Sequence, residues 1–81
     1  MRFALHYAAD ARTVRDKIAH YLPSNYAATT VMAPHGPAVL IFGEDHAGWT
    51  MDGYCLPRLA SGWYSAQEIS EAEADAMPAL G

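Results

Sequence analysis

Hydrophobic and polar positions alternate from Arg2 to Ala8, with Phe3, Leu5 and Tyr7 on one side and Arg2, Ala4, His6 and Ala8 on the other. A period of two predicts a half-buried strand. The period then changes. Ala11, Val14, Ile18, Tyr21 and Leu22 recur at helical spacing, with Arg12, Arg15, Asp16 and His20 between them. This predicts an amphipathic helix, capped at its start by Asp10 and stopped by Pro23. Tyr26 to Met32 is rich in Thr, Val and Ala and predicts a second strand. Ala33-Pro34-His35-Gly36-Pro37 is a turn by its proline and glycine content. Ala38-Val39-Leu40-Ile41-Phe42 is apolar throughout, the pattern of a central strand covered on both faces.

Residues 43–48 form a polar loop, and a second helix is predicted from a Thr50 cap to Ser61-Gly62. Asp52 in its first turn suits the helix dipole, and Trp49 with Tyr54 fits a hydrophobic staple. Met51, Tyr54, Cys55 and Leu59 form its buried stripe. Pro57 is costly inside a helix, and the residue whose carbonyl it crowds is the adaptable Gly53. Trp63 to Ile69 predicts a last strand. A helix starting at Ser65, with Glu68 completing a capping box, competes with it. Residues 70–81 read as a short helical turn and a frayed tail.

The order is β-α-β-β-α-β, the ferredoxin-like α+β arrangement. It implies a four-stranded antiparallel sheet with residues 2–8 and 38–43 at its centre and both helices on one face. The opposite face would then be open and apolar, carrying Ala4 and His6 with either Leu40 and Phe42 or Val39 and Ile41. Such a face implies a covering tail, a partner or a homodimer.

Length and composition bound the function. Eighty-one residues, 52% of them hydrophobic, make one domain with a thin core, here residues 1–69. No apolar run approaches the roughly 20 residues of a membrane helix, and none suggests a signal peptide. The lone Cys55 forms no internal disulfide, which suits the cytoplasm. The net charge of −4 divides unevenly. Residues 1–20 sum to +2, from Arg2, Arg12, Arg15 and Lys17 against Asp10 and Asp16. Residues 43–81 sum to −6, from Glu44, Asp45, Asp52, Glu68, Glu71, Glu73 and Asp75 against Arg58. That balance argues against direct nucleic-acid binding and favours a basic protein surface.

Candidate chemistry is sparse. His6, His20, His35, His46 and Cys55 show no metal-ligand spacing, so no metal or other cofactor is expected. Cys55 falls on an apolar stripe, where a thiol acts as a small hydrophobe. Glu44-Asp45-His46 could move a proton but also reads as a solvated loop. The glycines match no phosphate-binding pattern, and the third strand lacks the basic and aromatic spacing of an RNA-binding sheet. Trp49, Trp63 and Arg58 are anchor types at interfaces, and otherwise core or helix-end residues. The expected contact residues are therefore Glu44, Asp45, Asp52, Glu68, Glu71, Glu73, Asp75, Trp49, Trp63 and Arg58.

Residues 43–62, Gly43-Glu44-Asp45-His46-Ala47-Gly48-Trp49-Thr50-Met51-Asp52-Gly53-Tyr54-Cys55-Leu56-Pro57-Arg58-Leu59-Ala60-Ser61-Gly62, resemble a segment of short phage and prophage proteins with a GWT-x-D-x-Y-x-x-PRLASG-like pattern. The resemblance implies a viral or mobile-element origin and carries over no catalytic residue. In size, acidity and scarcity of cysteine the chain is also similar to anti-CRISPR inhibitors. That likeness implies a host protein complex as partner, such as a CRISPR effector subunit, met in the host cytoplasm. A small dimeric regulator using its sheet face, and a small enzyme using Cys55 or residues 44–46, are the other two readings.

Overall fold

The computed structural model of the chain describes residues 1–22, 24–44, 58–59, 62–63 and 67–80. The chain begins with strand β1 (Arg2–Tyr7) and helix α1 (Ala11–Tyr21), followed by strands β2 (Tyr26–Ala33) and β3 (Gly36–Gly43). Two short strands, β4 (Arg58–Leu59) and β5 (Gly62–Trp63), precede strand β6 (Gln67–Ile69) and helix α2 (Glu71–Asp75).

The main sheet has four strands in the order β2-β3-β1-β6, and every neighbouring pair is antiparallel. The fold is therefore α+β. The apolar third strand and the first strand lie at the centre, as their patterns predict. β3 faces β1 with Leu5 opposite Leu40, and β2 with Ala28 opposite Ile41. Because β1 and β2 both run against β3, they are parallel to each other, and α1 carries the chain between them.

α1 starts where Asp10 accepts a hydrogen bond from the Thr13 backbone N–H at 3.3 Å. Hydrogen bonding from Thr13, by its side chain first and its backbone N–H second, lowers the Asp10 carboxyl pKa, because it favours the charged form. The helix ends at Leu22, which is extended (ψ 141°), as the residue before a proline prefers. Its buried stripe of Ala11 and Ile18, flanked by Val14 and Leu22, packs on Ala4, Tyr26, Ala28, Val39 and Ile41.

The other face of the sheet is also built over. Phe3, Leu5, Val31, Ala38 and Leu40 form a second cluster with Ala74 of α2, joined by Phe42, Ile69 and Met77. Two expectations are corrected here. β1 is buried on both faces in its middle, with Ala4 at 3% and Leu5 at 6% exposure. The face that was expected to stay open is the one α1 covers at Ala4, while α2, in the predicted tail, packs with Phe3 and Leu5 on the other; the placement of the helix predicted from Thr50 lies outside the described residues. The apolar open face carrying Ala4, Val39 and Ile41 is thus the face that α1 buries.

β2 and β3 join through Pro34-His35, with Ala33 paired to Gly36. Gly36 has φ +135°, a conformation that glycine adopts without a side-chain clash. Gly43 ends β3 against β2, where a Cβ would lie 2.4 Å from Asn25 O and 2.7 Å from Tyr26 Cδ1.

The predicted second helix lies mostly outside the described residues, but its end does not. Arg58–Leu59 is a strand paired with Gly62–Trp63, with Arg58 opposite Trp63. Pro57, which has no N–H to give a helix, directly precedes this strand in the sequence. Within the predicted last strand, Gln67–Ile69 joins the main sheet through β1.

The tail is docked, not frayed. Met32 N donates to Pro78 O at 2.9 Å, and Leu80 N donates to Thr30 O at 3.1 Å, which seats Ala79 opposite Val31. Arg15 Nε donates to Ala28 O at 2.9 Å. The outward carbonyls of Ala28 and Thr30 and the outward N–H of Met32 are therefore occupied, which obstructs a further strand along this stretch of edge.

Candidate functional site

The acidic end of the chain is the most distinctive surface that the structure describes. Residues 67–80 carry Glu68, Glu71, Glu73 and Asp75 and no lysine or arginine. Helix α2 positions three of them. Ser70 is its N-cap: the Ser70 hydroxyl oxygen accepts from Glu73 N at 3.1 Å, and Glu73 Oε1 accepts from Ser70 N at 3.1 Å. This reciprocal capping box satisfies two backbone donors and places Glu71 and Glu73 in the first turn, where the helix dipole favours negative charge. Ala74, 6% exposed, fixes the helix to the sheet beside Phe3 and Leu5.

The four carboxylates have different uses. Glu68 accepts from Arg2 Nε at 2.8 Å and Arg2 Nη2 at 3.0 Å. Glu68 sits opposite Ala4, one diagonal step from Arg2, so this bidentate pair ties β6 to the start of β1. Glu73 serves the capping box. Glu71 and Asp75 are exposed, and among the described residues neither pairs with a cation. At about 100° per helical residue they lie roughly 160° round α2 from Glu73.

The remaining expected residues are scattered. Glu44 is exposed just beyond β3, and its carbonyl accepts from Asn25 Nδ2. Arg58 and Trp63 stand opposite each other in the β4–β5 pair. Asp45, Trp49 and Asp52 lie outside the described residues, as do His46 and Cys55. The structure therefore gathers Glu71, Glu73 and Asp75 on α2 and assigns Glu68 and Glu73 structural work as well.

The described histidines do not converge. His6 is half-buried on β1 and His20 is exposed on the last turn of α1. His35 in the hairpin lies 5.9 Å from the Tyr7 ring, tilted by 56°. Among the described residues no three His, Cys, Asp or Glu side chains come together as a metal site would need. None of the described helices is long and apolar enough to cross a membrane.

Among the described residues, depressions flank this scaffold on two sides. One, of about 330 Å3, is lined by Arg12, Arg15, Asp16, Thr29 and Thr30. The other, of about 440 Å3, lies between the hairpin and the chain after α2, lined by Met32, Ala33, Pro34, Glu73, Ala76, Met77 and Pro78. The sequence reading passed over this second groove. Its one available signal was Met32, an apolar residue on the exposed side of an edge strand, 42% exposed in the fold.

The chain matches no protein-family model, no curated protein and no solved structure.

Proposed function

We propose that the chain is a non-enzymatic binding protein of phage type, an inhibitor of the anti-CRISPR kind. It docks on a basic surface of a host protein complex in the host cytoplasm and obstructs nucleic-acid binding there. The observation that carries this reading is the exposure of Glu71 and Asp75 on a helix fixed to the sheet by Ala74. Carboxylates held on a rigid platform present their charge without an ordering cost at the moment of contact. An acidic surface then competes for cations that otherwise hold phosphates. The scaffold is read as ferredoxin-like, supported by the sheet order β2-β3-β1-β6 and by α1 linking two parallel strands that flank β3.

The test is charge reversal. Glu71→Lys with Asp75→Lys leaves the capping box and Ala74 in place, so circular dichroism should be unchanged. In a bacterium with active CRISPR immunity, the natural sequence should restore plating of a targeted phage and the doubly reversed protein should not. Affinity for the captured complex should fall about tenfold or more and lose much of its salt dependence. Equal rescue by both proteins would remove the electrostatic reading, and no rescue by the natural sequence would remove the anti-CRISPR one.

A further inference from the structure

The groove between the β2–β3 hairpin and the chain after α2 has a chemically narrow lining. Met32, Ala33, Pro34, Ala76, Met77 and Pro78 are apolar, and Glu73 is the one charged residue among them. Proline has no backbone N–H, so Pro34 and Pro78 offer no donor to a ligand. Met32 N already donates to Pro78 O and Met77 N to Ala74 O. The lining therefore presents apolar surface and carboxylate oxygen. Both hydrogen bonds from Ser70 fall on Glu73 Oε1, and no described residue donates to Oε2. A cation placed there gains a charged acceptor, whereas an anion meets repulsion in a site with no compensating donor.

Volume and flexibility narrow the occupant further. About 440 Å3 lies within the range of roughly 300–1,000 Å3 typical of ligand pockets. Methionine side chains are unbranched and polarisable and repack around bulky apolar groups of differing shape. Met32 stands 42% exposed beside the half-buried Met77, so both thioethers belong to one lining. We infer that the groove takes a basic amphipathic segment of a partner protein, with an apolar side chain seated between Met32 and Met77 and a neighbouring lysine or arginine on Glu73. The inference rests on the reading of this chain as a binder of basic protein surfaces and gives that contact its anchor.

The test uses a short peptide alternating lysine and leucine as probe, with lysine–serine and glutamate–leucine counterparts. The methionine methyl groups are carbon-13 labelled and followed by NMR. The lysine–leucine peptide should move the Met32 and Met77 methyls and leave the 69%-exposed Met1 in place. Glu73→Gln keeps a capping-box residue at N3, so α2 stays formed, and should weaken the peptide about five- to tenfold. Stationary Met32 and Met77 methyls would overturn the groove. Equal binding of the lysine–serine peptide would overturn its apolar half, and equal binding of the glutamate–leucine peptide, or no change in Glu73→Gln, its cationic half. Failure here together with intact sensitivity to Glu71→Lys and Asp75→Lys would leave the acidic docking surface standing and dispose of the groove alone.

Discussion

Gly43 and Gly36 are both glycines of β3, and they differ in what a side chain would meet. A Cβ at Gly43 would lie 2.4 Å from the Asn25 carbonyl and 2.8 Å from Tyr26 Cα, both backbone atoms that cannot move aside. At Gly36 nothing lies within 4 Å, and only the φ of +135° resists substitution. Gly43→Ala should therefore cost about 2–3 kcal/mol and Gly36→Ala about 1 kcal/mol, measured by urea denaturation. Equal costs would mean that close approach is not what fixes Gly43. Ile18, fully buried between α1 and the sheet, sets the scale for core packing. Ile18→Ala should cost about 2–5 kcal/mol. Asp10 shows how one cap enters the pH dependence. Its folded pKa lies below the ordinary 3.8, so its stabilisation is present above that value. It is lost as pH falls through the lower folded value. Asp10→Asn keeps a good cap without the charge, so it should flatten this part of the acid limb while leaving neutral-pH stability nearly unchanged. An unaltered acid profile would assign the limb to other carboxylates.

Among the elements, those whose signals are local were legible. α1 has its cap, its apolar spacing and its proline stop within residues 10–23, and it forms over Ala11–Tyr21. β2, β3 and the turn between them were equally plain, because a run rich in Thr, Val and Ala, a continuous apolar run and Pro34 with Gly36 are each read over a few residues. α2 was only partly read. Its capping box is Ser70 with Glu73, whereas the sequence offered the same spacing at Ser65 with Glu68. Glu68 instead faces Ala4 across the sheet, and its bidentate bond to Arg2 is a long-range reward that a local pattern does not contain. Ser70→Ala should unravel α2 first. Amide exchange at Glu73 and Ala74 should rise, with a global cost of about 0.5–2 kcal/mol. A uniform loss of protection across the sheet would instead make α2 part of the cooperative core. Glu68→Gln should cost no more than about 1 kcal/mol, since Glu68 is 53% exposed and solvent screens the pair.

At the scale of the whole molecule, the sequence reading missed how the layers close. The expected open face carried Ala4, but α1 covers that side and buries Ile41, while α2 in the tail covers the other and buries Leu40. The tail was read as frayed for a physical reason: its hold on β2 is made by backbone groups of Pro78 and Leu80, which leave no trace in residue type. The acidic candidate surface was legible as charge, but the fold decides which carboxylates are spent on structure and which remain exposed. The seal on β2 also has a consequence in time. Arg15 is synthesised before the strand it protects, whereas residues 78–80 emerge from the ribosome long after it. A growing chain therefore carries β2 with Thr30 O and Met32 N unpaired, in the interval when neighbouring nascent chains on a polysome are close together. Until residues 78–80 dock, Thr30 O and Met32 N are open to strand-to-strand association, and Arg15 can cover only the Ala28 carbonyl.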